Sequence, residues 1–261
     1  GRSSSSFTAP PPIGTITSTN DSGSGTFFRL NFNGLSGATG FNNFSFGSCY
    51  VYLFTGNNTK LPQVTTTPLD AGPVLNVTGP NGAKQLAKQM KGSYYSQLGG
   101  GTPGLPGGQP LFLDPGSYTV ENGAGGTDVG AFKASLIIPA HLVWTNEDSI
   151  NDISRSQDLP ITWSGGNPSG FVIITGVSIT SSPAVGGVFV CTEHVSAGRF
   201  TVPSLVLSTL PASNSGQSGV PGGFLLVGSS TAFQSGRFQA SGLDFGYITA
   251  GDSSEKSVNF Q

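Results

Sequence analysis

Charge is scarce in this chain. Asp, Glu, Lys and Arg make up 9% of its 261 residues, against about a quarter in an ordinary soluble domain. The formal charge is −2 and no long run of Lys and Arg occurs. Binding dominated by nucleic-acid phosphates needs clustered positive charge, so no nucleic-acid partner is expected. No apolar run reaches the ~18 residues that a spanning helix requires, so no membrane span is expected. Methionine occurs once, and cysteine, histidine and tryptophan twice each. A zinc site needs about four N, S or O ligands in recognisable spacings. The Cys and His residues at 49, 141, 191 and 194 form neither Cys-x-x-Cys nor His-x-x-x-His, so no metal or other cofactor is expected.

What remains is glycine, with 40 residues, phenylalanine, with 18, and many Thr, Val, Ile and Ser. β-branched and aromatic residues favour strands, and Gly, Pro, Asn and Ser recur between the apolar runs as turns require. Short runs such as FFRLNF, FSFGSCYVYLF, PVLNVTG, LPITWSG and GFVIITGVSI read as strands. The expected fold is all-β, with two immunoglobulin-like β-sandwich domains, the first carrying one short inserted helix. The boundaries expected are an extended N-terminal tail at 1–24, a sandwich at 25–140, a second sandwich at 141–250 and a C-terminal tail at 251–261. The helix is placed near 82–95, where Ala83, Leu86, Ala87, Met90 and Tyr94 recur at helical spacing and Lys84, Lys88 and Lys91 form a solvated stripe. The sequence opens Gly-Arg-Ser without methionine, as expected of a processed chain.

The stretch GVFVCTEHVSAGRFTVPS places Cys191, Glu193 and His194 within four positions. Side chains alternate faces along a strand, so Cys191 and His194 should point apart, which disfavours a cysteine nucleophile. Ser196, Ala197 and Gly198 read as the turn of a hairpin. In an oxidising compartment Cys49 and Cys191 are expected to pair; two separately buried thiols are the rival reading. Glu147, Asp148, Asp152 and Asp158 cluster in NEDSINDISRSQD, a weak signal for a glycosidase pair and an ordinary composition for turns and caps. Trp144 and Trp163 lie in expected strands; a core role competes with stacking on glycans.

VWTNEDSINDISRSQDLPITWSGG, FVCTEHVSAGRFTVPSLVLSTLP and SGLDFGYI, with LDPGSYTV and GGTDVGAF earlier in the chain, resemble a group of secreted or surface β-sandwich proteins of soil-type bacteria. The resemblance spans roughly residues 70 to 250. It implies a β-sandwich and an extracellular location, and it includes no catalytic signature.

These readings lead to a non-enzymatic extracellular structural protein that assembles with copies of itself. Sparse charge keeps repulsion between subunits low. Both termini carry strand-capable segments, with Phe7, Ile13 and Ile16 at one end and Val258 and Phe260 at the other. These segments could add to a neighbour's sheet. The alternative is a monomeric adhesin or carbohydrate-binding module that uses Trp144 or Trp163 on surface glycans.

Overall fold

A computed structural model describes residues 2–7, 16–31, 41–55, 65–101, 108–181, 184–213, 222–230 and 236–261. The chain is all-β. In order, it forms β1 (Arg2–Phe7), β2 (Ile16–Thr26), β3 (Phe28–Asn31), β4 (Phe41–Phe46), β5 (Cys49–Thr55), β6 (Thr65–Pro68), β7 (Val74–Gly79), β8 (Gly82–Met90), β9 (Ser93–Gly101), β10 (Gly116–Glu121) and β11 (Lys133–Ile138). It continues with β12 (Leu142–Trp144), β13 (Asp152–Ile153), β14 (Leu159–Gly165), β15 (Phe171–Ser181), β16 (Ala184–His194) and β17 (Arg199–Val202). One short helix follows, α1 (Ser204–Leu207), then β18 (Gly223–Ser230), β19 (Arg237–Phe238), β20 (Gly246–Tyr247) and β21 (Asp252–Phe260).

A fourteen-stranded sheet runs β11-β10-β7-β8-β9-β2-β1-β21-β18-β15-β16-β5-β4, with β13 paired to β21. The three-stranded sheet β12-β14-β17 packs on its second half, and β3–β6 and β19–β20 form two small ribbons. The sheet curls around two hydrophobic cores. One gathers Leu75, Leu86, Tyr94, Leu98, Tyr118 and Leu136, and the other gathers Val51, Trp163, Ile174, Phe189, Leu225 and Phe260. Core membership crosses the sequence halves. β5 joins the later core, with Val51 fully buried, while Phe238, Leu243 and Ile248 pack on the earlier one.

The helix expected near 82–95 is instead the β8–β9 hairpin. Lys91 and Gly92 form its turn, and Gly92 takes φ 77°, a conformation that glycine adopts without steric cost. β8 pairs with β7 on one side and β9 on the other, so its backbone groups bond across the sheet. Of the supposed helical stripe only Leu86 and Tyr94 are buried, and Met90 is 68% exposed. Tertiary pairing has overridden a modest local preference.

Two expected local shapes also change. FSFGSCYVYLF is a hairpin rather than one strand, since β4 and β5 pair around a turn with Gly47 at φ 57°. The stretch around His194 is not a hairpin. β16 pairs with β15 and β5, whereas β17 pairs with β14. A 3-10 turn at Val195–Ala197 carries the chain from one sheet to the other, anchored by buried Val195.

The segments expected as tails are strands of the sheet. β2 starts at Ile16, although NDSGSGT is rich in poor strand formers. β21 lies in the sheet interior between β1 and β18.

Candidate functional site

Strand alternation holds along β16. Cys191 is buried and bonded to Cys49, its direct cross-strand partner on β5. His194 is exposed and packs on Phe171 with ring centroids 4.6 Å apart. His141 lies elsewhere, with Nδ1 2.9 Å from Asp252 Oδ1. Cys191, Glu193 and His194 therefore form no catalytic constellation.

Glu147, Asp152 and Asp158 hold hydrogen bonds within the fold. Glu147 Oε2 accepts from the Ser254 hydroxyl, and its backbone carbonyl accepts from buried Lys256. Burial pushes the Glu147 carboxyl above its ordinary range. Asp152 Oδ1 accepts from Asn259 Nδ2. Asp158 Oδ1 accepts from the Ser204 N–H at the start of α1, and that bond holds its carboxyl low. At Asp158 this matches the cap reading. Among the described residues no cluster of three or more His, Cys, Asp or Glu is placed to hold a metal ion.

Trp144 and Trp163 are core residues, at 6% and 4% exposure. Their indole N–H groups donate to Asn146 Oδ1 and to the Val195 carbonyl. Neither offers a face to a glycan, which corrects the stacking expectation. Val258 and Phe260, expected to reach a neighbour, are fully buried in their own chain's core. Phe7 and Ile16 are register partners in the β1–β2 ladder, and Ile13 lies outside the described residues.

Two features remain that could engage a partner. The first is the position of β1. It pairs antiparallel with β2 and parallel with β21. On the sheet path it separates β11-β10-β7-β8-β9-β2 from β21-β18-β15-β16-β5-β4. Its sequence is RSSSSF. The register sets Arg2 opposite Asp21 on β2 and opposite Asp252 on β21.

The second is a cavity of about 920 Å³ inside the earlier half. Leu75, Leu86, Leu98, Phe132 and Leu136 line it, together with residues 242–251. Gly23 and Gly25 on β2 let Leu86 and Leu75 approach the strand closely. A Cβ at either position would come within 2.6 Å of Leu86 or Leu75. Buried Asp21 accepts from the N–H groups of Phe112 and Leu113 at 2.6 and 2.7 Å, tying the loop before β10 to β2. Lys88 to Asp70, at 2.6 Å, and Lys91 to Asp128, at 2.9 Å, fasten the β8–β9 hairpin outside. These lysines are ion-pairing partners rather than a solvated helix face.

Sequence reasoning missed both features. The alternation Asp21, Gly23, Gly25, Phe27 was the available signal for β2, but it has no side chain at its two central positions. No protein-family model matches the chain, and no curated protein or solved structure matches it.

Proposed function

We propose that the protein is an extracellular structural protein without enzymatic activity, and that it assembles with copies of itself by β-strand addition. Residues 2–7 are the strand exchanged. The position of β1 carries this reading. It is one short polar strand inserted between β2 and β21. An identical strand from a second copy would make the same backbone hydrogen bonds and the same Arg2–Asp register. The disulfide fits an oxidising compartment, and low charge reduces repulsion between copies.

Paired cysteines test the exchange. Ser3 and Ser253 are direct partners in the β1–β21 ladder. Oxidation of the Ser3→Cys/Ser253→Cys variant at rising concentration is expected to yield a ladder of covalent oligomers. Deletion of residues 1–15 should abolish assembly in light scattering. Intramolecular linkage alone at every concentration, or unchanged assembly after the deletion, would remove the proposal.

The alternative of a glycan-binding module shifts to a different surface. Tyr50 and Tyr52 are exposed on one face of β5, with ring centroids 5.1 Å apart. On that reading, Tyr50→Ala/Tyr52→Ala would abolish retention on a glycan array that the wild type binds.

A further inference from the structure

We infer that the cavity of the earlier half is a binding site for one linear aliphatic chain with an anionic head. Its volume, about 920 Å³, lies at the upper end of the range usual for small-molecule pockets, about 300–1,000 Å³. The walls are branched aliphatic and aromatic side chains from β7, β8, β9 and β11. A pocket with such walls suits the apolar part of a ligand. Gly23 and Gly25 contribute to the opening. Leu86 and Leu75 lie against the β2 backbone there, and a Cβ at either glycine would force them inward.

The exposed lining residues differ from the buried ones. Phe28, Phe245 and Tyr247 are large side chains at 43, 55 and 53% exposure, and all three are among the lining residues. Aromatic side chains left in water around a cavity suit the entry of an apolar chain. Arg29 also lines the cavity, and Arg237 sits over the Phe245 ring at 5.8 Å. Asp244 is the carboxylate among the lining residues. Arg29 is the guanidinium among the lining residues, Arg237 stands beside the lining residue Phe245, and an arginine binds a carboxylate through paired hydrogen bonds. The occupant committed to is therefore a fatty-acid-like carboxylate. Its chain lies among Leu86, Leu98 and Leu136, and its head reaches Arg29. This site is independent of β1 exchange.

Dodecanoate and dodecanol are the probes, titrated into the full chain and read by native mass spectrometry and calorimetry. The expected result is one dodecanoate per chain, bound about tenfold more tightly than dodecanol. Arg29→Gln, a change at an exposed side chain, should erase that preference while leaving dodecanol binding intact. Ala134→Phe fills the cavity from a buried lining position and should abolish binding of both probes. Because that variant could fail to fold, a diazirine-bearing fatty acid supplies a second readout on the wild type. Its crosslinks should map to residues 75–98 and 132–138. No saturable 1:1 binding, an Arg29→Gln variant with undiminished preference, a folded Ala134→Phe variant that still binds, or crosslinks outside these segments would each overturn the inference.

Discussion

Cys49 on β5 and Cys191 on β16 stand opposite each other in the sheet and are joined as a disulfide. The bond spans 142 positions of sequence and lies in the later core. In the chain-entropy picture a loop of this length is worth about 5 kcal/mol. Cys49→Ala/Cys191→Ala is expected to lower Tm by roughly 10–20 °C in a calorimetric scan under non-reducing conditions.

Asp21 is a buried anchor. Replacing it with Ala leaves the Phe112 and Leu113 N–H groups without their acceptor. The cost should be on the order of 3 kcal/mol in urea titration. Asp21→Asn, which keeps one carbonyl oxygen, should cost less. An equal loss in both variants would argue that charge, not the acceptor, matters.

The β8–β9 turn depends on Gly92. Alanine there must hold φ near 77° and place its Cβ 2.5 Å from the Phe27 carbonyl oxygen. The backbone conformation alone costs about 1–2 kcal/mol. Gly92→Ala should lower the urea midpoint by at least that equivalent, and amide exchange should quicken first across residues 82–101. A neutral outcome would contradict the hairpin that replaces the expected helix.

Stability should respond to acid through two opposing groups. The Lys88 hydrogen bond, then the Gly72 N–H, holds the Asp70 carboxyl low; the Asp70 N–H, then Lys91, does the same for Asp128. Their stabilisation is present above the unfolded value, about 3.9, and is lost as pH falls through the lower folded values. Glu147 has the opposite sign. Burial raises its carboxyl pKa in the fold, so the fold binds that proton more tightly than the unfolded chain. Its contribution declines as pH rises from about 4.3 through the higher folded value. Glu147→Gln should flatten that decline and leave the acid-side loss in place. Lys88→Met should shrink the acid-side loss. Tm measured between about pH 2 and pH 7 separates the two.

Trp163 is predicted to behave as core. Trp163→Ala should cost about 3–5 kcal/mol, and the tryptophan emission of the wild type should not change on addition of glycans. Quenching by a glycan would return the stacking role to Trp144 or Trp163.

Much of the fold could be read from residue order. KASLII alternates exposed and buried positions along β11 throughout, and alternation along VFVCTEH placed Cys191 inward and His194 outward. The Cys49–Cys191 pair followed from cysteine count and apolar context. The β8–β9 hairpin did not, because AKQLAKQM fits a helical period nearly as well as a strand and its apolar residues are few. The role of Val258 and Phe260 was misjudged for a related reason. Two apolar residues in a short segment mark a strand, but they do not say whose core it fills. The candidate cavity left no local trace, since its lining comes from β7, β8, β9 and β11 and from residues 242–251.

Composition was sufficient for the all-β class. Period-two alternation was sufficient for the facing of individual strands, because both are properties of a residue and its immediate neighbours. The choice of partners was not available at that level. That β5 lies beside β16, that β1 closes the gap between β2 and β21, and that Gly23 and Gly25 meet Leu86 and Leu75 are outcomes of pairing over long sequence separations. Backbone hydrogen bonds between strands carry no residue code, so these neighbours are selected by how the whole sheet curls and buries its apolar face.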